Sequence, residues 1–195
     1  MLLSTLRAGK RANLQQELIA CRSVAAVLTL LHGGSVHRWP PICQATAWHR
    51  VAKFASNRRG RGELIDVEAS VVILSSALQR ADLSRFRERE LANVVWSWGQ
   101  LEARNERLLG SFCDHIPQRC DELSSRQISN TIHALGTLGF WHASAWRALA
   151  DAAAQKHSGF NPQDLSNTFY GWAKLEYAVD DVLNVLCNSA LRTLH

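Results

Sequence analysis

The chain has 195 residues, 47% of them apolar and 20% charged, which excludes wholesale disorder. No apolar run approaches the roughly 20 residues that a membrane-crossing helix needs; the nearest, Val24 to Leu31, is far shorter. The net charge of +5 is uneven, with ten Lys/Arg against the single acid Glu17 in residues 1–62, and twelve basic against sixteen acidic groups in the remaining 133. A basic third of this kind suits a polyanion, most simply nucleic acid, or else a targeting extension beside a solvated face.

In chain order, "MLLSTLRAGKRANLQQ" is basic, carries Ser and Thr and has no acid, which marks residues 1–14 as a basic extension of transit-peptide type. Gln15–Leu31 then reads as one amphipathic entry helix, closed by Gly33 and Gly34, with "SVHRWPP" as a connector. Residues 42–55 predict a helix, "SNRRGRG" a linker, and Glu63–Arg80 a second helix. Arg58, Arg59 and Arg61 make that linker a basic patch, of a kind that usually binds without reading sequence.

From residue 86 onward the chain repeats itself. "FRERELANVVWSWGQLEA", "LSSRQISNTIHALGTLGF" and "FNPQDLSNTFYGWAKLEY" align on Asn93, Asn130 and Asn167, 37 residues apart each time. The apolar columns Leu91/Ile128/Leu165, Val95/Ile132/Phe169, Trp98/Leu135/Trp172 and Leu101/Leu138/Leu175 recur on one helical face. Helix starts are written chemically, as Asn161 before Pro162 and as the capping-box spacing of Ser124 and Gln127. Second helices are predicted over Asn105–Ile116, Ala143–Ala154 and Asp180–Arg192. The expected fold is all-α: a solenoid of helical hairpins with an entry helix at 15–33, a divergent repeat at 42–80, and repeats at 84–119, 123–157 and 160–195. The last repeat is expected to be truncated. Gln44 is the anomaly, since it stands in the first apolar slot of the divergent copy.

On each first helix, Leu165, Phe169 and Trp172 and their counterparts form the predicted buried seam. The opposite stripe carries two columns. One holds rings, His49, Trp96, His133 and Tyr170; the other holds hydrogen-bonding groups, Thr46, Asn93, Asn130 and Asn167. Lys53, Arg89, Arg126 and Lys174 flank them. Rings on which unstacked bases rest, polar groups that reach base edges, and cations for phosphates are what single-stranded RNA recognition requires. The same rings could instead fill the gap between neighbouring helices, and the asparagines could bond across it. Small residues at Ala92/Ser129/Ser166 and Gly99/Gly136/Ala173 lie on the helix flank, where they are predicted to let neighbouring helices close in.

"PQDLSNTFYGWAKL", "ISNTIHALGTLG" and "ATAWHRVAKFA" resemble the octotricopeptide-repeat family of organellar RNA-binding proteins, and also the repeat regions of RAP-domain and FAST-kinase-like proteins. The resemblance covers roughly residues 15–195; the family's PPPEW signature and a RAP domain are absent from the sequence. It implies a right-handed α-solenoid that holds single-stranded RNA along its concave side. A role in RNA stability, processing, translation or ribosomal RNA assembly follows, in a mitochondrion or chloroplast, or otherwise in the cytoplasm. Proteins of an organellar ribonucleoprotein would be further partners. A protein–protein scaffold on the same fold is the alternative.

No P-loop, G-x-S-x-G, H-E-x-x-H or repeating acid pair points to catalysis, and no membrane, small-molecule or cofactor partner is expected. The five cysteines form no C-x-x-C pair and read as reduced core thiols. Cys113, His115 and Cys120 do not match a zinc spacing, so no metal is expected.

Overall fold

The computed structural model describes residues 13–56, 61–176 and 180–192. The extension up to residue 12 and the linker residues Arg58 and Arg59 lie outside them. The described residues are all-helical, with no strand. They form two compact units that divide after Leu101.

The first unit holds α1 (13–20), α2 (Val24–His32), α3 (Pro41–Ala55), α4 (Arg61–Leu78) and α5 (Glu88–Leu101), with short 3-10 turns at Val36–Arg38 and Leu83–Arg85. The expected single entry helix is broken at residues 21–23. Ser23 restarts the chain by accepting a hydrogen bond from the Ala26 amide at 3.2 Å, an N-cap that competes with continuing the helix. Cys21 closes the first piece by donating its thiol to the Glu17 carbonyl. Arg50 Nε then ties Leu18 O to α3 at 3.2 Å. α3 lies along α5 and α2 along α4, and Trp48 and Trp98 meet edge to face in the core, 5.9 Å apart at 87°. Gln44 is buried, and its amide nitrogen donates to the Trp39 carbonyl at 3.0 Å across the turn that starts α3, while its Oε1 is buried without a hydrogen-bond partner.

The second unit holds α6 (Glu106–Cys113), α7 (Ser125–Thr137), α8 (Ala143–Gln155), α9 (Pro162–Lys174) and α10 (Asp180–Arg192), with 3-10 turns at Cys120–Glu122 and His157–Gly159. α7 packs against α9 and α8 against α10, and α8 also touches α7 and α10 touches α9. Complete capping boxes start α7 (Ser124 with Gln127) and α9 (Asn161 with Asp164), each cap contributing about 1 kcal/mol. The predicted seam is buried at Ile128, Ile132, Leu135, Leu165 and Trp172, with Phe169 half-buried.

Two braces were not legible in the sequence. Lys156 Nζ donates to the carbonyls of Asp121 and Leu123 at 2.7 and 2.5 Å, and Arg104 Nη1 donates to Leu138 O at 3.0 Å. Both satisfy carbonyls left open where helices end or turns begin. Glu102, Gly139 and Glu176 all take left-handed backbone at the ends of α5, α7 and α9. Only glycine does so without steric cost.

Candidate nucleic-acid interface

α7 and α9 approach almost backbone to backbone. A Cβ on Gly136 would overlap Gly171 O and fall 2.5 Å from its Cα, and a Cβ on Gly171 would fall 2.5 Å from Ile132 O. The Ser129 hydroxyl seals the contact by donating to Asp164 O at 2.9 Å. Gly136 and Ser129 thus act as predicted. Gly171 was missed, although the small, buried column Ser97, Ala134, Gly171 was there to be read.

On α9, Ser166 and Ala173 are exposed, and no described helix lies against them. Each first helix has two flanks. α7 offers α9 its Ser129/Gly136 flank, whereas α9 answers with Asp164, Thr168 and Gly171 from its other side. Ser166 and Ala173 therefore lie on the flank that α7 does not reach.

This close approach sets the ring and amide columns. In the second unit, His133 and Tyr170 stack at 5.0 Å and 26°. Beside them Asn167 Nδ2 points to Asn130 Oδ1 at a long 3.5 Å, while Gln163 Nε2 donates to Asn167 Oδ1 at 2.9 Å. In the first unit, His49 and Trp96 sit 5.1 Å apart at 33°. The stripe is neither core nor a row of separate rings. His49, Trp96, His133, Asn93, Asn130 and Asn167 are half-buried, and Tyr170 remains 44% exposed.

Of the polar column, Thr46 has its hydroxyl hydrogen committed to Ile42 O at 2.6 Å, so it presents an acceptor outward. Lys53, Arg89, Arg126 and Lys174 are all exposed, and Lys174 Nζ lies 5.5 Å from the Tyr170 ring centroid. Burial lowers the pKa of His49, and Lys53, Arg50 and Arg89 lower it further. Burial alone lowers that of His133. Both imidazoles are neutral rings at physiological pH, and Lys53, Arg50 and Arg89, which add to the effect of burial on His49, make the field beside it positive.

Cys113 and Cys120 are buried, and burial raises both thiols to about 12, which keeps them protonated. No group of three or more His, Cys, Asp or Glu among the described residues is placed to hold a metal ion. No described helix is long and apolar enough to cross a membrane.

No protein-family model matches the chain, and no curated protein matches it.

Proposed function

We propose that the chain is a helical-repeat module of octotricopeptide type that binds single-stranded RNA in organellar RNA metabolism, with α3, α5, α7 and α9 as the first helices of successive hairpins in an α-solenoid. The observation that carries this reading is the outward stripe. Paired rings and amides stand half-open to solvent, flanked by four exposed cations, with no acidic side chain among the predicted binding residues. Supporting the repeat itself, the starts of α5, α7 and α9, the 3-10 turns before them and the left-handed residues after them all recur at the 37-residue interval of the Asn130–Asn167 contact.

The neutral imidazoles favour stacking over phosphate binding, so the lysines and arginines carry the charge. Neutralising four phosphates predicts a shallow salt dependence on single strands, with a log–log slope of about −3. The test is fluorescence anisotropy of the full chain with a labelled single-stranded RNA and with a duplex of the same sequence. Single-strand preference with the shallow slope is expected, and joint substitution Trp96→Ala, Tyr170→Ala should weaken binding while circular dichroism stays helical. Equal binding of duplex and single strand, or loss of helix in the double variant, would refute the reading.

A scaffold role draws its support elsewhere. Leu64, Ile65 and Val72 are exposed on α4, a helix that carries none of the stripe. A partner docking there would leave the ring substitutions without effect.

A further inference from the structure

We propose that a cleft in the first unit, between the Val36–Arg38 turn and the C-terminal turns of α4, binds a small phosphate monoester that carries an apolar body. The cleft is built from elements that hold none of the stripe residues.

Its size and lining suit a small molecule. The cleft encloses about 440 Å³, within the range of small-ligand sites. Val36 and Ala77, both buried, line it together with Val72, which is 68% exposed and leaves apolar surface to be covered.

Four polar side chains meet in the same cleft: Ser35, His37, Ser76 and Arg80. Each can donate a hydrogen bond, and none is acidic. None of the four makes a hydrogen bond or ion pair with its side chain among the described residues. Ser76 is the clearest case. Thr29, Ser70 and Ser97 each donate the hydroxyl to the carbonyl four residues back in the same helix, whereas Ser76, in α4 like Ser70, keeps its proton for the cleft. The acid that follows Arg80 in the chain, Asp82, accepts from Ser84 N and Oγ at 3.1 and 2.6 Å and does not pair with Arg80.

Donors without acceptors call for an anion. A phosphate monoester offers three terminal oxygens, enough for the Arg80 fork and further donors together, where a carboxylate offers two. The C-terminus of α4 opposes an anion with about half an elementary charge, against the full charge on Arg80. Its last carbonyls are also partly occupied, since Ser75 O, Ala77 O and Leu78 O accept from the amides of Gln79, Arg80 and Ala81. The organic part of the ester then covers Val72, which bare phosphate would leave in water.

The test titrates the full chain with phenyl phosphate, inorganic phosphate and benzoate by isothermal titration calorimetry. Phenyl phosphate should bind several-fold more tightly than either of the others. Arg80→Gln should weaken it roughly ten- to a hundred-fold, as for one lost charge-assisted hydrogen bond. Val72→Gln should weaken phenyl phosphate and leave inorganic phosphate unchanged, and Arg147→Gln, at an exposed site on α8, should bind as the parent does. No binding of phenyl phosphate, equal binding of benzoate, or equal losses in the two arginine variants would overturn the site. Competition with one short RNA, either 5′-phosphorylated or 5′-hydroxyl, identifies the source of the ester. Displacement of phenyl phosphate by the phosphorylated form alone assigns the cleft to a strand end, and displacement by neither assigns it to a free ester. Equal displacement by both would overturn the monoester. The stripe lies on α3, α5, α7 and α9, so failure of the cleft leaves the RNA reading standing.

Discussion

The two units build a similar outer surface on different foundations. In the first, α3 and α5 are held by large side chains, Trp48 against Trp98, and the flank columns that hold Gly136 and Gly171 in the second unit hold Ala52 and Ser97, both fully buried. In the second, α7 and α9 meet at glycine on both sides, and a seryl hydroxyl bonds straight to the neighbouring helix. Yet each pair brings two rings to about 5 Å on the outside, His49 with Trp96 and His133 with Tyr170. Ring pairing therefore does not depend on one way of filling the core. It depends on the register between the helices, which both packings hold.

Breaking each foundation should separate the two. The largest effect is expected in the first unit: Trp98→Ala removes one of its largest fully buried side chains and should cost about 3–5 kcal/mol in urea denaturation. Gly136→Ala should follow at about 1–3 kcal/mol, because the added methyl must push α7 from α9, although alanine is the better helix former. Ala52→Gly, the reverse change at the matching position in the first unit, should cost less, near 1 kcal/mol, through helix propensity. If Gly136→Ala were stabilising, the backbone-to-backbone contact would not be the foundation of the second unit.

Smaller effects sharpen the contrast. Glu176→Gly should stabilise by about 1 kcal/mol by relieving left-handed backbone at the end of α9, a relief that α7 already has in Gly139. The histidines give the finest distinction. Both have folded pKa values below the ordinary one of 6.5, so the unfolded chain takes up protons first as the pH falls. Their contribution is fully present above about pH 6.5 and is lost as the pH falls through the depressed folded values. Melting temperature should therefore drop on mild acidification. His49→Gln should remove more of that drop than His133→Gln, since three cations as well as burial act on His49.

Much of the helical plan was legible because it is local. Cap chemistry fixed the starts of α7 and α9 at Ser124 and Asn161, and apolar periodicity picked out Ile128, Ile132, Leu135, Leu165 and Trp172 for the core. The break in the entry helix was missed because an apolar stripe running from residue 15 to 31 looks continuous, while a single seryl cap at Ser23 was enough to restart the chain. Gly171 was missed for the opposite reason: a glycine within "FYGWAK" reads as a helix weakener until a neighbouring helix is seen to lie against it. The exposure of Ser166 and Ala173 was not legible either, since residues with the same small side chains are buried on α7.

For the candidate site, the sequence alone determined which side chains share a stripe, because helical geometry places residues three and four apart on one face whatever surrounds them. It also placed rings, amides and cations together there. Whether those rings are buried, separate or paired was decided by the distance and register between α3 and α5 and between α7 and α9. Those quantities come from contacts between side chains and backbone far apart in the chain, such as Gly136 with Gly171 and Ser129 with Asp164, and no helical period encodes them.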